Sequence, residues 1–219
     1  MTPMLRQNLT LCVLVLIGIN MRPLLTSIGP LLPDIRAASG MSYTLVALLT
    51  ALPVIAMGVL ALAGGWVDRT VGQNRSIALS LLIIAAGALL RESAPHSGLL
   101  LSSALAGGIG IGIIQAAIPA VIKRLFARRT PLVMGLWSAA LMGGGGLGAA
   151  FTPWLASRST VWHQALAWWA LPALLALLGW LAICRQLPRA PHQTSASPRV
   201  AIIGQRRAWT LGLYFGLIN

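Results

Sequence analysis

A single arginine, Arg22, lies well inside the first long apolar run of the sequence, Leu9–Leu32. A guanidinium near the centre of a membrane-spanning helix costs about 2.5–3.5 kcal/mol on insertion scales, so it should face a cavity or an anionic partner. The three acidic residues of the chain all lie at the ends of apolar runs: Asp34, Asp68 and Glu92. We therefore expect a bound anion to supply the counter-charge. Pairing with a carboxylate outside this sequence, or with backbone carbonyls, is the alternative.

The residues around Arg22 favour a local site. Pro23 has no amide donor, which loosens the bond to the Ile19 carbonyl and predicts a kink beside Arg22. Helical spacing places three small residues on the face of Arg22: Gly18, Thr26 and Gly29. Asn20 lies about 160° away on an ideal helix. Asn20 joins the site only if the kink re-aims it.

The fourth apolar run repeats this arrangement. Gln115 precedes Pro119 and shares a face with Gly108 and Gly112. Interrupted helices at corresponding positions of two three-helix repeats indicate a substrate site at the membrane midplane. The alternative is close helix packing at the glycines, with Gln115 bonded to a neighbouring helix.

The fifth run contains a cluster of glycines, Gly143, Gly144, Gly145 and Gly146, followed by Gly148. Glycines allow another backbone to approach closely, so a sliding or rocking contact and plain packing are both open. Pro153 should bend the end of this helix. Trp137 and Ser138 are candidates for the edge of a cavity, with an interfacial anchor as the alternative for Trp137.

The composition excludes an ordinary soluble domain. Hydrophobic residues make up 57% of the 219 residues and charged residues 9%, whereas soluble domains carry about 25% charge. Uniform apolar runs without period-2 alternation exclude a closed barrel, so the expected fold is an all-α polytopic membrane protein. Six runs are long enough to be spans: Leu9–Leu32, Tyr43–Trp66, Ser76–Leu90, Leu99–Ile122, Leu132–Ala156 and Ala165–Ile183.

The net charge of +13 follows the predicted topology. Cations concentrate on one side of the membrane: Arg6, Arg69, Arg75, Lys123, Arg124, Arg128, Arg129, Arg185, Arg189, Arg199, Arg206 and Arg207. The other side holds Arg36, Arg91 and Arg158. This asymmetry predicts a cytoplasmic N-terminus and disfavours nucleic-acid binding. Tryptophans near span ends are expected to be interfacial anchors: Trp66, Trp154, Trp162, Trp168, Trp169, Trp180 and Trp209.

Three segments are expected. Residues 1–183 form a six-helix bundle of two three-helix repeats, and residues 184–208 form a polar, proline-containing cytoplasmic linker. Residues 209–219 begin a seventh helix and remain apolar to the last residue, which predicts that the chain is a fragment of a longer protein.

The loop after the second run reads G-G-W-V-D-R-T-V-G-Q-N-R, from Gly64 to Arg75. It resembles the signature of the major facilitator superfamily, with one extra residue before Gly72 and with Gln73 and Asn74 in place of basic residues. The resemblance implies that Asp68, Arg69, Gly72 and Arg75 stabilise one access state. An ordinary polar turn is the alternative.

Three further segments resemble the bacterial cyanate transporter family, the CynX-like branch of the major facilitators. They are N-M-R-P-L-L-T-S-I-G-P-L-L-P (Asn20–Pro33), G-I-G-I-I-Q-A-A-I-P-A-V-I-K-R (Gly110–Arg124) and M-G-L-W-S-A-A-L-M-G-G-G-G-L-G-A-A (Met134–Ala150). The resemblance implies the N-terminal half of a secondary active transporter in the bacterial inner membrane, working by alternating access with a C-terminal half that this sequence lacks. Cyanate is the implied small anion.

Other classes remain open or are disfavoured. The alternatives are a permease half for another small organic solute or a drug-like compound, a half-size unit acting as a dimer, or a non-functional truncated product. An enzyme is not expected, because the spans offer serine and threonine without an accompanying histidine or acid. Neither Cys12 nor Cys184 has a metal-ligand spacing, and no metal, disulfide or cofactor is expected.

Overall fold

The computed structural model describes residues 3–92, 97–159, 161–187 and 210. Within these ranges, the side chains of residues 3–4, 62–66 and 69 are not described. The described part is entirely helical apart from short connections, which confirms the all-α fold. The helices are α1 (Pro3–Asn20), α2 (Pro23–Thr26), α3 (Ile28–Ser39), α4 (Tyr43–Val71), α5 (Gln73–Leu90), α6 (Ser97–Leu125), α7 (Thr130–Arg158), α8 (Trp162–Ala167) and α9 (Ala170–Cys184).

Six segments of the described chain are long and apolar enough to cross a membrane, which confirms the predicted number. The first combines α1, α2 and α3 as Leu5–Ser39, and the sixth combines α8 and α9 as Trp162–Cys184. The remaining four are Tyr43–Ala61, Gln73–Leu90, Ser97–Leu125 and Thr130–Arg158. Large apolar side chains such as Val59 and Leu178 are 61% and 62% exposed on the bundle surface, as lipid contact requires.

The bundle is built from pairwise helix packing between the two halves of its sequence. The first span packs along α7, α4 packs along α6, and α5 packs on both α6 and α9. The largest buried apolar cluster draws on α1, α5, α6, α7 and α9 and includes Leu14, Ile17, Leu81, Ile118 and Trp180. This core holds the first span beside α7, where the candidate site lies.

Glycine determines how closely two of these helices approach. A Cβ added to Gly108 of α6 would stand 2.6 Å from Pro53 Cα on α4, and one added to Gly112 would stand 3.1 Å from Met57 Cα. Any side chain at Gly108 would therefore push the two backbones apart. This contact supports the packing interpretation of the Gly108 and Gly112 face.

The fourth span is not interrupted as expected. The helix α6 is continuous from Ser97 to Leu125, with Pro119 inside it. Pro119 lacks the amide that would bond to the Gln115 carbonyl, but the turns on both sides are held by packing of Ile118 and Val121 in the core. The correspondence between the two proline-containing spans therefore does not extend to a helix break.

The interfacial-anchor interpretation is wrong for two tryptophans. Trp180 has no exposed surface, and its indole N–H donates to the Asn74 carbonyl at 2.9 Å. Trp137 is 6% exposed and packs on Gly18, where a Cβ would lie 3.2 Å from the ring. Trp154 and Trp168 are about half exposed, at 49% and 53%, as expected for anchors.

Residues 188–219 form a second unit of the chain. The predicted linker at 184–208 is described only as far as Leu187. The predicted seventh helix at 209–219 lies outside the described residues except for Thr210.

Candidate functional site

The first span is interrupted at Arg22, which confirms the predicted irregularity. The helix α1 ends at Asn20 and α2 begins at Pro23, so Arg22 lies midway along Leu5–Ser39 between two helical segments. A second interruption follows at Ser27, between α2 and α3. The Met21 amide bonds to the Gly18 carbonyl at 3.1 Å, a tighter turn than the α-helix makes.

The guanidinium of Arg22 has no protein counter-ion among the described residues. Its Nε atom is buried, and none of those residues accepts a hydrogen bond from it. All three acids of the chain belong to the described part, and none forms an ion pair with Arg22. Asp34 and Glu92 are exposed, and Asp68 accepts a hydrogen bond from Ser76. Arg22 is therefore a charged donor without an acceptor, near the middle of a span.

Thr26 connects the Arg22 segment to α7. Its hydroxyl lies 2.9 Å from the Gly145 carbonyl oxygen and 3.2 Å from the Arg22 carbonyl oxygen. A Cβ added to Gly145 would stand 3.3 Å from Arg22 Cβ. Gly145 thus provides room for the stem of Arg22 and an acceptor for Thr26, and the structure brings these three residues together.

Neighbouring glycines of α7 complete this contact. Pro23 has no amide to bond to the Ile19 carbonyl, and this carbonyl oxygen occupies the space that a Cβ on Gly144 would need. Gly148 packs on Pro23 and on the Thr26 hydroxyl. In contrast, Gly143 and Gly146 are exposed, and a methyl group added at either would have nothing within 4 Å. Only part of the glycine cluster therefore packs on the first span.

Asn20 has a structural contact instead of a free amide. It is 4% exposed, and its Nδ2 donates to the Pro172 carbonyl at 2.8 Å and to the Leu16 carbonyl at 3.1 Å. These bonds tie the end of α1 to α9. The Asn20 side chain therefore stabilises the interruption of the first span by bonding to the sixth span.

The remaining predicted site residues lie apart from this cluster of contacts. Gln115 is half-buried on α6, and no hydrogen bond joins it to Arg22 within the described part of the chain. Ser138 is exposed on α7, while its neighbour Trp137 faces the core against Gly18. Whether Gln115, Trp137 and Ser138 contact a substrate stays a prediction.

The loop between the second and third spans is a tight turn at Gly72. Gly72 has φ of +88°, a conformation that favours glycine, and it separates α4 from α5. Its amide donates to the Asp68 carbonyl at 3.1 Å, and its own carbonyl accepts from the Ser76 amide at 2.9 Å. The glycine of the signature is thus required by the backbone, whatever its role in gating.

Asp68 bonds across this turn. The Ser76 hydroxyl donates to Asp68 Oδ1 at 2.5 Å. Burial raises the pKa of Asp68 above its usual value of 3.8, and the Ser76 hydrogen bond partly opposes that shift. Arg75 is exposed, and the side chain of Arg69 lies outside the described part of the chain. The gating roles of Asp68, Arg69, Gly72 and Arg75 stay predictions.

Sequence reasoning missed two features. Gln73, read only as a departure from the signature, accepts from Arg124 Nη1 at 2.8 Å and donates to the Ala117 carbonyl at 3.4 Å. The available signal was that Gln73 is polar and uncharged at a position where the superfamily signature has a basic residue. Gln73 thereby joins the start of α5 to the end of α6.

Arg91, expected in a solvated loop, is 1% exposed. Its Nε donates to the Ser103 hydroxyl at 3.2 Å, and burial lowers the pKa of Arg91 to about 10. The guanidinium therefore stays protonated at neutral pH. No feature of the sequence distinguished this arginine from an exposed one.

Six apolar spans, the first interrupted beside an arginine that has no partner among the described residues, define a polytopic membrane protein. Residues 11–219 match the model of the Major Facilitator Superfamily. The protein belongs to that superfamily, which confirms the resemblance inferred from the Gly64–Arg75 loop.

The chain is also similar to curated transporters. It is 65% identical over 209 residues, or 95% of its length, to the cyanate transport protein CynX of Escherichia coli (strain K12), and covers 54% of that protein. It is 31% identical over 93% of its length to a 2-nitroimidazole transporter of the same organism, covering 52% of it. An uncharacterized transporter of Bacillus subtilis (strain 168), YycB, is 30% identical over 93% of the chain and is covered to 50%. The chain thus spans about half the length of these relatives.

Solved structures share the fold at low identity. A bacterial homologue of the human drug peptide transporters PepT1 and PepT2 superposes with a TM-score of 0.71 and 15% identity, over 95% of this chain and 47% of that one. Tetrameric PepTSo2 gives the same TM-score and identity over 97% of this chain and 47% of that one. At this identity, the likeness supports the fold alone.

Proposed function

We propose that this chain is the N-terminal half of a secondary transporter for a small anion, with cyanate as the first candidate, and that Arg22 binds the anion. The main support is the environment of the Arg22 guanidinium. It lies at the middle of a span, and its buried Nε has no acceptor among the described residues. An unpaired buried charge is costly, so a ligand of opposite charge that enters from water stabilises the site.

The chemistry of arginine suits this cargo. A guanidinium is planar, always protonated and able to donate two parallel hydrogen bonds to one anion. Cyanate is supported as the anion by the 65% identity with a cyanate transport protein. In this proposal Thr26 and Gly145 position the stem of Arg22, and Gln115, Trp137 and Ser138 contact the substrate from the neighbouring spans.

Alternating access requires a second bundle, and the relatives are about twice as long as this chain. The backbone contacts of Gly144 and Gly148 with Ile19 and Pro23 favour movement of the first span and α7 as one body. The exposed Gly143 and Gly146 offer α7 backbone for close approach by the second bundle. The loop containing Asp68, Arg69, Gly72 and Arg75 would stabilise one of the two access states through the Asp68–Ser76 bond.

A second candidate cargo is a neutral heterocycle, supported by the 31% identity with a 2-nitroimidazole transporter. A neutral ring gains much less from a guanidinium than an anion does. Dependence on Arg22 therefore distinguishes the two candidates.

The test measures uptake of labelled cyanate into proteoliposomes containing the complete transporter, and binding of cyanate to this 219-residue chain in detergent. Arg22→Gln should abolish uptake and weaken binding at least about tenfold, equivalent to about 1.4 kcal/mol. Arg22→Lys should keep the charge yet bind less well, because it lacks the planar pair of donors.

Arg36→Gln is the matched control. The Arg36 guanidinium stacks over the Tyr43 ring at 3.7 Å near the end of the first span, so its loss removes the same charge away from the site. Uptake at the wild-type level by Arg22→Gln would refute the anion site. Retained 2-nitroimidazole uptake with lost cyanate uptake in that variant would show that only cyanate transport depends on the Arg22 charge.

The proposal includes a cytoplasmic N-terminus, supported by the cation asymmetry between the two sides. Single cysteines placed in the 93–98 and 123–130 segments, in a background without Cys12 and Cys184, test it. A membrane-impermeant thiol reagent applied to intact cells should label the first position and not the second. The reverse pattern would overturn the orientation.

A further inference from the structure

The connection between α6 and α7 carries a concentration of positive charge that the proposed transport site does not use. Lys123 and Arg124 lie in the last turn of α6, and Arg128 and Arg129 lie in the connection that follows. Among the described residues, none of these side chains forms an ion pair with an acid. Like charges at this density repel one another, so the turn is stabilised by any anion that binds between them.

A cavity of about 390 Å³ lies at this turn. It is lined by Gln7 of α1 and by residues 124–129, which include three arginines. The first span begins at Leu5, the fourth ends at Leu125 and the fifth begins at Thr130. The cavity therefore lies where spans end, at the depth of lipid headgroups rather than of acyl chains.

One nitrogen of the Arg124 guanidinium is bound by a neighbouring side chain. Arg124 Nη1 donates to Gln73 Oε1 at 2.8 Å, while Nε and Nη2 are buried without an acceptor among the described residues. Gln73 thus binds one donor of Arg124, and the charge of Arg124 has no acidic partner among the described residues.

The start of α7 adds to the positive potential. The helix runs for 29 residues from Thr130, and its N-cap residue Arg129 makes no side-chain capping bond. Its first turn contains no acid. The helix dipole at this end favours a negative group beside Arg128 and Arg129.

We propose that this cavity, formed by Gln7 and residues 124–129, binds a phosphate group between the guanidinium groups of Arg124, Arg128 and Arg129. A tetrahedral phosphate presents several acceptor oxygens, which matches several arginines converging on one space. Its source is either the headgroup of an anionic phospholipid or inorganic phosphate from solution. The site is separate from Arg22 and does not depend on which solute the protein transports.

The test uses the purified 219-residue chain and native mass spectrometry with two lipids of the same chain length. Wild type should retain phosphatidylglycerol about tenfold better than phosphatidylcholine, whose choline cation is repelled by the arginines. Arg124→Gln should remove that preference. Arg185→Gln, which removes an exposed arginine just beyond α9, should keep it.

A second arm titrates inorganic phosphate in the absence of lipid and follows ³¹P line broadening, with wild type, Arg124→Gln and Arg185→Gln. Broadening that depends on Arg124 identifies solution phosphate as a ligand, whether or not lipid also binds. Arg128→Gln serves in both arms if Arg124→Gln does not fold, since Arg128 is exposed and outside the helices. The proposal is overturned if neither ligand binds, or if Arg185→Gln loses binding as much as the site variants do.

Discussion

Pro23 and Gly148 pack backbone to backbone: a Cβ on Gly148 would stand only 2.7 Å from the Cα of Pro23. Pro23 interrupts the first span beside Arg22, and the absence of a side chain at Gly148 lets α7 cover the interruption. The irregular backbone around Arg22 is thus sheltered by protein rather than by lipid, as non-helical backbone inside a membrane must be.

The first prediction concerns Gly144, which lies against the Ile19 carbonyl. Gly144→Ala should destabilise the bundle by about 1–3 kcal/mol, the usual cost of overpacking, because the added methyl would meet backbone that cannot move aside. The measurement is the melting temperature of the chain in detergent. Gly143→Ala, one residue earlier in open space, should be neutral or stabilising by up to about 1 kcal/mol. Equal melting temperatures for the two variants would contradict the contact.

A second prediction tests the hydrogen bond between Thr26 and the Gly145 carbonyl. Thr26→Val keeps the shape and removes the hydroxyl, so it should cost about 0.5–1.5 kcal/mol. Thr50→Val is the control, because the exposed Thr50 hydroxyl bonds to the Ala47 carbonyl of its own helix and to no other described residue. Thermal unfolding of both variants gives the comparison, and a larger loss for Thr50→Val would argue against the role of Thr26.

The variant Asn20→Ala distinguishes a packing role of Asn20 from a role in binding substrate. Asn20→Ala removes the donor to the Pro172 carbonyl and should lower stability by about 1–3 kcal/mol. The affinity of the folded variant for cyanate should change less than twofold, in contrast to Arg22→Gln. Lost cyanate affinity at unchanged stability would instead place Asn20 among the ligand contacts.

The raised pKa of Asp68 predicts a pH dependence of stability. The folded state holds its proton to a higher pH than the unfolded chain does, so the protein loses stability as pH rises from about 4 through the folded pKa. Asp68→Asn is neutral throughout and should gain in melting temperature relative to wild type across that window. Its amide oxygen can still accept from Ser76.

Ser76→Ala supplies the control for this titration. Removing the hydroxyl deletes the interaction that lowers the Asp68 pKa, so the window should extend to higher pH. A difference between Asp68→Asn and wild type that shrinks as pH rises would contradict the shift.

The sequence was sufficient to predict the six spans, the irregularity at Arg22 and the superfamily. Pro23 removes one backbone hydrogen bond of the first span beside Arg22, and this loss can be predicted from the sequence because the missing amide acts locally. The same reasoning was wrong for Pro119, because α6 is packed tightly enough to stay helical around its proline. A local rule states which bond is lost, and the surrounding packing decides whether the helix breaks.

The orientation of individual helices was beyond the sequence for a related reason. Trp180 was expected at the membrane surface, and an interfacial anchor was the alternative for Trp137. Both lie in the core, where Gly18 makes room for the Trp137 ring and the Asn74 carbonyl accepts from the Trp180 indole. Gln73 and Arg91 also acquired their partners only through neighbouring helices.

Composition, apolar run lengths and the spacing of charges thus predicted on their own six membrane spans within residues 1–183 and one arginine well inside the first of them. Only the tertiary structure decided that no described acid reaches that arginine, that Gly144, Gly145 and Gly148 enclose its helix break, and that Asn20 bonds to the sixth span. The physical reason is that lipid and protein core are equally apolar. Hydrophobicity therefore identifies a span without indicating which face of it packs against another helix.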